Sequence, residues 1–271
     1  MTAMIIPPAV TLATGPERRS ARPVPTARLV KVELRKMFDT RSGFWMLLSI
    51  GVLSFAAATS VLIVAPDSDV TYETFTRAIG FPMSVILPMI AILSVTSEWS
   101  QRSGLTTFAL VPSRGRVIGA KAIATVVVGL GSAAVAFSVG AVGNVVGSAL
   151  AGVDTVWNVP PSAVHQIVLG DLVGMAVGFT LGVLMRSSSA AIVGYFVVSL
   201  VMPGIVELLA LAQEWFKDLQ PWVDWNYTQV DLFEGVTNTV EEWAKLGSTT
   251  MIWIVIPLAI ALFTLRRTEV K

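Results

Sequence analysis

An all-α integral membrane protein, with six transmembrane helices and both termini cytoplasmic, is the fold class this sequence predicts. Of its 271 residues, 54% are hydrophobic and 14% charged, whereas an ordinary soluble domain carries about 25% charged residues. Six apolar runs of about 18 to 24 residues approach or exceed the length that crosses a ~30 Å hydrocarbon core. Basic residues gather on one set of connections, as in chains whose positive loops stay inside. The 19 Lys plus Arg nearly balance the 18 Asp plus Glu, so overall charge gives no support for a nucleic-acid partner. With no cysteine, disulfides, thiolate metal sites and cysteine nucleophiles are excluded together.

Residues 1–26 read as a disordered cytoplasmic tail. Pro7, Pro8, Pro16, Pro23 and Pro25 alternate with Thr, Ala and Arg, a composition that buries too little apolar surface to order itself. The tail lacks the short apolar core and cleavage site of a signal peptide. Residues 27–271 then form the transmembrane domain. Within it, 27–42 begins as an amphipathic helix, with Val30, Leu34, Met37 and Phe38 on one side and Arg28, Lys31, Arg35 and Lys36 around the other. Such a helix lies along the inner membrane surface and sends its cationic stems to lipid phosphates. A plain positive flank is the competing reading.

The spans are expected at Phe44 to Val64, Ile79 to Thr96, Ala122 to Val146, Gln166 to Met185, Ala190 to Ala212 and Thr250 to Leu265. With the amino terminus inside, the cytoplasm receives Arg18 to Arg41, then Arg102, Arg114, Arg116 and Lys121, then Arg186, Arg266, Arg267 and Lys271. Only Arg77, Lys217 and Lys245 remain outside. Trp45 and Trp99 mark the inner boundary, and Trp157, Trp215, Trp222, Trp225, Trp243 and Trp253 the outer one, each explicable as an interfacial anchor.

The fourth span carries Gly170, Gly174, Gly178 and Gly182 at strict four-residue spacing, and the third carries Gly140, Gly143 and Gly147. Small residues along one stripe let backbones approach where lipid gives no hydrophobic incentive to associate. These two helices are therefore expected to pack against each other or across a dimer axis. Asp171 and Glu207 are the acids at membrane depth, where an ionised side chain usually faces protein or water. Asp171 either reaches the interface or sits inside. Glu207 follows Met202-Pro203-Gly204, a place for a bend that opens it to an aqueous cleft. The extracellular segment 213–249 is too long to be structureless. Val230, Phe233, Val236, Val240 and Trp243 recur near helical spacing, so one or two short helices are expected at the outer leaflet.

The connection 97–121 is longer than a plain turn and has an apolar centre, with Leu105, Phe108 and Leu110 ringed by Arg102, Arg114 and Arg116. That is the pattern of a docking element for a cytoplasmic partner. The order of a basic amphipathic helix, a first span, the run Glu98 to Thr107, then Val111-Pro112-Ser113-Arg114-Gly115-Arg116 and Ala120-Lys121 resembles the permease subunits of type-2 ABC transporters, especially those of actinobacteria. Ser97 stands where family members often have the glycine of a Gly-Glu pair, and Leu105 separates Gly104 from Thr106 where they often have Gly-Thr.

The resemblance implies a coupling helix within 97–121, with Glu98, Arg102, Gly104, Leu105, Thr106, Phe108, Arg114 and Arg116 meeting an ABC ATPase. It also implies an N-terminal helix leaning on that subunit and re-entrant outer helices between spans five and six. A multi-pass place in the bacterial cytoplasmic membrane and export of a hydrophobic or amphiphilic compound follow from it too. No Gly-x-x-x-x-Gly-Lys-Ser/Thr loop occurs, so ATP and Mg are expected in the partner, with no cofactor and no catalysis in this chain. Two permeases, identical or related, would pair with two ATPases.

Rival readings stay in view. An ion-coupled carrier would use Glu207 or Asp171 as a proton relay. A non-transporting sensor or assembly subunit would keep the fold alone. An intramembrane hydrolase has little to build on: His165 is the single histidine and no Gly-x-Ser-x-Gly elbow occurs.

Overall fold

The computed structural model describes residues 24–100 and 114–267, all helices and connections, with no strand among them. The helices run α1 (Thr26–Asp39), α2 (Arg41–Val64), α3 (Tyr72–Ser100), α4 (Arg114–Ala151), α5 (Pro161–Met185), α6 (Ser188–Phe196), α7 (Met202–Ala212), α8 (Glu214–Val223), α9 (Trp225–Phe233), α10 (Val240–Thr250) and α11 (Ile256–Arg267). Six stretches are long and apolar enough to cross a membrane: Gly43–Val64, Tyr72–Trp99, Gly115–Ala151, Pro161–Met185, Ser188–Ala212 and Val240–Leu265. The tail reading for residues 1–23 and the coupling residues Arg102, Gly104, Leu105, Thr106 and Phe108 lie outside the described residues.

Several helices outrun the expected spans, and two of the extensions carry an ion pair along the helix. Arg77 meets Glu73 at 2.9 Å and Lys245 meets Glu241 at 2.7 Å, each one turn apart. Thr40 separates α1 from α2 and caps the latter by accepting from the Gly43 N–H at 3.2 Å. The fifth and sixth spans each contain a five-residue π-turn, Val197–Val201 and Met251–Val255. Each π-turn ends two residues before a proline, Pro203 and Pro257. Proline offers no N–H and its ring crowds the carbonyl four residues back, so widening the helix by one residue relieves both faults.

Helix α3 is the hub, packed against α2, α4, α5 and α6. In the Pro161–Met185 span 61% of the most apolar stretch is buried, against 6% in Ser188–Ala212, so α5 belongs to the core while α6 and α7 face outward. The glycine stripes explain the arrangement. A Cβ on Gly178 would lie 2.8 Å from the Pro88 carbonyl oxygen, and one on Gly182 3.3 Å from that of Ile92. On α4, Gly140, Gly143 and Gly147 instead receive the side chains of Tyr72, Phe75 and Ile79. Ile79 and Pro88 are nine residues apart, which at about 100° per residue is half a turn. Within the chain the two stripes therefore grip opposite faces of α3 and not each other, the first of the two arrangements expected; a dimer axis was the second. Where α4 and α5 do touch, Gly129 meets Leu172 and Met175.

The segment 213–249 holds three short helices, α8, α9 and α10, where one or two were expected. The Val230 to Trp243 repeat is shared between α9 and α10. It breaks at Gly235, whose φ of 71° suits a residue without Cβ, and a capping box between Thr239 and Glu242 starts α10. Trp225 is 1% exposed and belongs to the core rather than to an interfacial belt. Gln229 donates to the Gly170 carbonyl at 2.8 Å. Gln166 donates to the Thr237 carbonyl at 3.0 Å and accepts from its N–H at 3.1 Å. These bonds fasten the outer segment to the bundle through α5.

Candidate functional site

Helix α1 buries Glu33 and Met37 together, beside Val30 and Leu34. Residues 30, 33, 34 and 37 share one helical face, so an acid stands inside the apolar stripe. Packed against α2 and α4, that stripe needs a cation, and α4 provides one. Lys121, with 3% of its side chain exposed, meets Glu33 Oε2 at 2.6 Å and Glu98 Oε1 at 3.4 Å. It also donates to the Ser94 carbonyl at 2.9 Å. Of the ammonium's three donors, two go to Glu33 and Ser94, and Glu98 stands at ion-pair distance only. Lys36 completes the cluster, 2.7 Å from Glu33 and 3.7 Å from Glu98.

Four alternating charges thus join α1, the last turns of α3 and the first turns of α4, on both flanks of residues 101–113. Glu98 is the least satisfied member: its Oε1 is buried and accepts no hydrogen bond. Such a cluster is stable only while every partner stays, because an unpaired charge left in a desolvated pocket costs several kcal/mol. Arg116 adds a second tie by donating to the Val24 carbonyl at the start of α1. The arrangement ties three helix ends to one another.

The positions of the remaining candidates differ in kind. Arg28, Lys31 and Arg35 lie on the exposed side of α1, Arg35 paired with Asp39 at 2.9 Å. Lys36 is turned into the cluster instead. Phe38, expected on the apolar stripe, is 56% exposed. Glu98 is buried by the cluster. Arg114 begins α4 and Arg116 is half-buried. Gly170 and Gly174 face α9, touching Phe233 and Gln229. Missing from the sequence reading were Glu33 as a buried acid and its pairing with Lys121. The acid inside the Val30-Leu34-Met37 stripe was the available signal.

At membrane depth, Asp171 is 8% exposed and its Oδ1 has no hydrogen-bond partner. It lies within electrostatic reach of buried Tyr195, whose ring stands 6.2 Å from that of Trp225. The Trp225 Nε1 is likewise buried without a partner. Glu207 is exposed on α7, with no ion pair among the described residues. No group of three or more His, Asp or Glu among the described residues is placed to hold a metal. In the outer segment, desolvation first and then the neighbouring Glu242 and Glu234 push the Asp231 carboxyl above its usual range, with Lys245 opposing.

No known protein family matches the chain, and no curated protein matches it. The site's own geometry therefore carries the functional argument.

Proposed function

We propose that this chain is the membrane-spanning permease subunit of an ATP-driven exporter of the type-2 ABC kind, placed in a bacterial cytoplasmic membrane with both termini inside. The observation that carries the reading is the Glu33–Lys36–Glu98–Lys121 cluster, buried except at Lys36, which bridges the two helix ends flanking residues 101–113. A partner ATPase that pushes on 97–121 would move α3 and α4 together and carry α1 with them. Because α3 also holds α5 through Gly178 and Gly182, the push reaches the core of the bundle. A second permease, identical or related, would cover the exposed faces of α6 and α7, and two ATPases would bind ATP and Mg. Closure of the ATPases would then bias the spans between inward and outward openings.

Native-membrane pull-down tests the reading. An ATPase with a phosphate-binding loop should copurify, and Arg102→Glu with Arg114→Glu should weaken that association by about tenfold or more, since like charges set against a partner cost several kcal/mol. Undiminished association and transport in this variant would remove the docking claim.

Asp171, buried with an unpartnered oxygen, favours a second reading, an ion-coupled carrier. The two readings part at Asp171→Asn. In the exporter, nucleotide-driven transport should persist within about twofold. In the carrier, flux driven by a pH gradient without nucleotide should be present in the parent chain and fall by about 100-fold or more in the variant, as for loss of an essential proton carrier.

A further inference from the structure

At the end of the bundle away from the ion cluster, a cavity of about 480 Å3 lies between the first turns of α3 and α5, the stretch before α5, and the end of α9. Its size falls within the ~300–1,000 Å3 range of small-molecule sites. Phe81, Ile167 and Phe233 give it apolar walls. Phe81 is 77% exposed, so the chamber is reached from outside the bundle.

The rim is charged, and its charges are unequal. Glu73 is committed on both oxygens: Arg77 approaches Oε1 at 2.9 Å, and Asn158 donates to Oε2 at 3.0 Å. Glu73 and Arg77 therefore neutralise each other. Glu234, also on the rim, is exposed and makes no ion pair among the described residues. One negative charge is left over beside an apolar chamber. Asp231, whose protonation is favoured partly by Glu234, shows that the local field is negative.

We propose that this cavity binds monocationic amphiphiles, with the cationic head at Glu234 and the apolar body against Phe81, Ile167 and Phe233. An anionic head would meet repulsion there, and a neutral one would leave Glu234 without a partner. The proposal deepens the exporter reading by naming the class of its cargo, yet binding itself needs no ATPase.

The full chain in nanodiscs of neutral phosphatidylcholine should bind radiolabelled tetraphenylphosphonium saturably. Dodecyltrimethylammonium should displace it and dodecyl sulfate should not. Gly80 lines the chamber and has open space where a Cβ would stand, so Gly80→Trp should fill the cavity and weaken binding by at least about tenfold. Glu234→Gln alters one exposed side chain and should weaken it by about threefold to fivefold, the reach of a solvent-exposed charge pair. Size-exclusion chromatography of both variants checks that they remain folded. Unchanged binding in a folded Gly80→Trp chain, or equal competition by dodecyl sulfate, overturns the site. Loss of the site with the ATPase still copurifying leaves the exporter reading standing. Saturable binding by a chain that copurifies no ATPase from native membranes would sink that reading and keep the site.

Discussion

Lys121→Met should destabilise the chain by about 3–5 kcal/mol, the cost of leaving a buried charge without its partner. Lys121 gives an ammonium to Glu33, Glu98 and the Ser94 carbonyl at once. Without it, two buried carboxylates face the half-buried Lys36 alone. Thermal unfolding of the solubilised chain would register the loss. The decisive comparison is with Glu33→Gln in the same background. That second change removes the carboxylate nearest Lys121 and returns the cluster to charge balance, with Lys36 against Glu98. The double variant should therefore be more stable than Lys121→Met by at least about 1 kcal/mol, a non-additivity expected of groups in one network. Strictly additive losses would mean that the four residues are neighbours without being coupled. The same pair of variants bears on function. If α1, α3 and α4 transmit force as one piece, Lys121→Met should lower transport per bound ATPase more than it lowers association.

The number of spans was legible from hydropathy alone, since each apolar run has only one arrangement that satisfies its backbone in lipid. Their ends were not. Tyr72–Arg77 fell outside the expected second span, and Val240–Lys245 was expected in a short helix separate from the sixth; each instead runs on into the neighbouring apolar stretch, with Glu73–Arg77 and Glu241–Lys245 paired along the axis. The glycine stripes announced close approach, but periodicity names a face and not its neighbour. That α3 would receive both stripes depended on which helices lie side by side, and nothing local to α4 or α5 encodes it. Pro203 was legible as a fault in the helix, while its repair by a π-turn, repeated before Pro257, was not. The ion cluster was half legible. Glu33 breaks the apolar stripe of α1 visibly, yet its partner stands 88 residues away on α4, beyond any short-range pattern.

Gly178→Ala should cost about 1–3 kcal/mol, although a glycine-to-alanine change in a helix ordinarily gains about 0.5–1 kcal/mol. The sign turns on one distance. The added methyl would stand 2.8 Å from the Pro88 carbonyl oxygen, a backbone atom that no rotamer change can move aside. Either α3 and α5 separate along their whole contact, or α5 shifts along its axis and strains the Gln229–Gly170 bond at its other end. Gly131→Ala supplies the contrast, because nothing lies within 4 Å of a Cβ there. It should be neutral or stabilise by up to about 1 kcal/mol through the reduced freedom of the unfolded chain. Thermal unfolding of the two variants beside the parent chain decides the matter. Opposite signs locate the packing restraint at the α3–α5 contact, and equal gains would show that this contact has slack. If the contact is tight, a displacement of α3 at its Glu98 end cannot be absorbed by sliding. It must reappear in α5, which makes the Gly178–Pro88 crossing the place where a displacement at the Glu98 end becomes a change in the core.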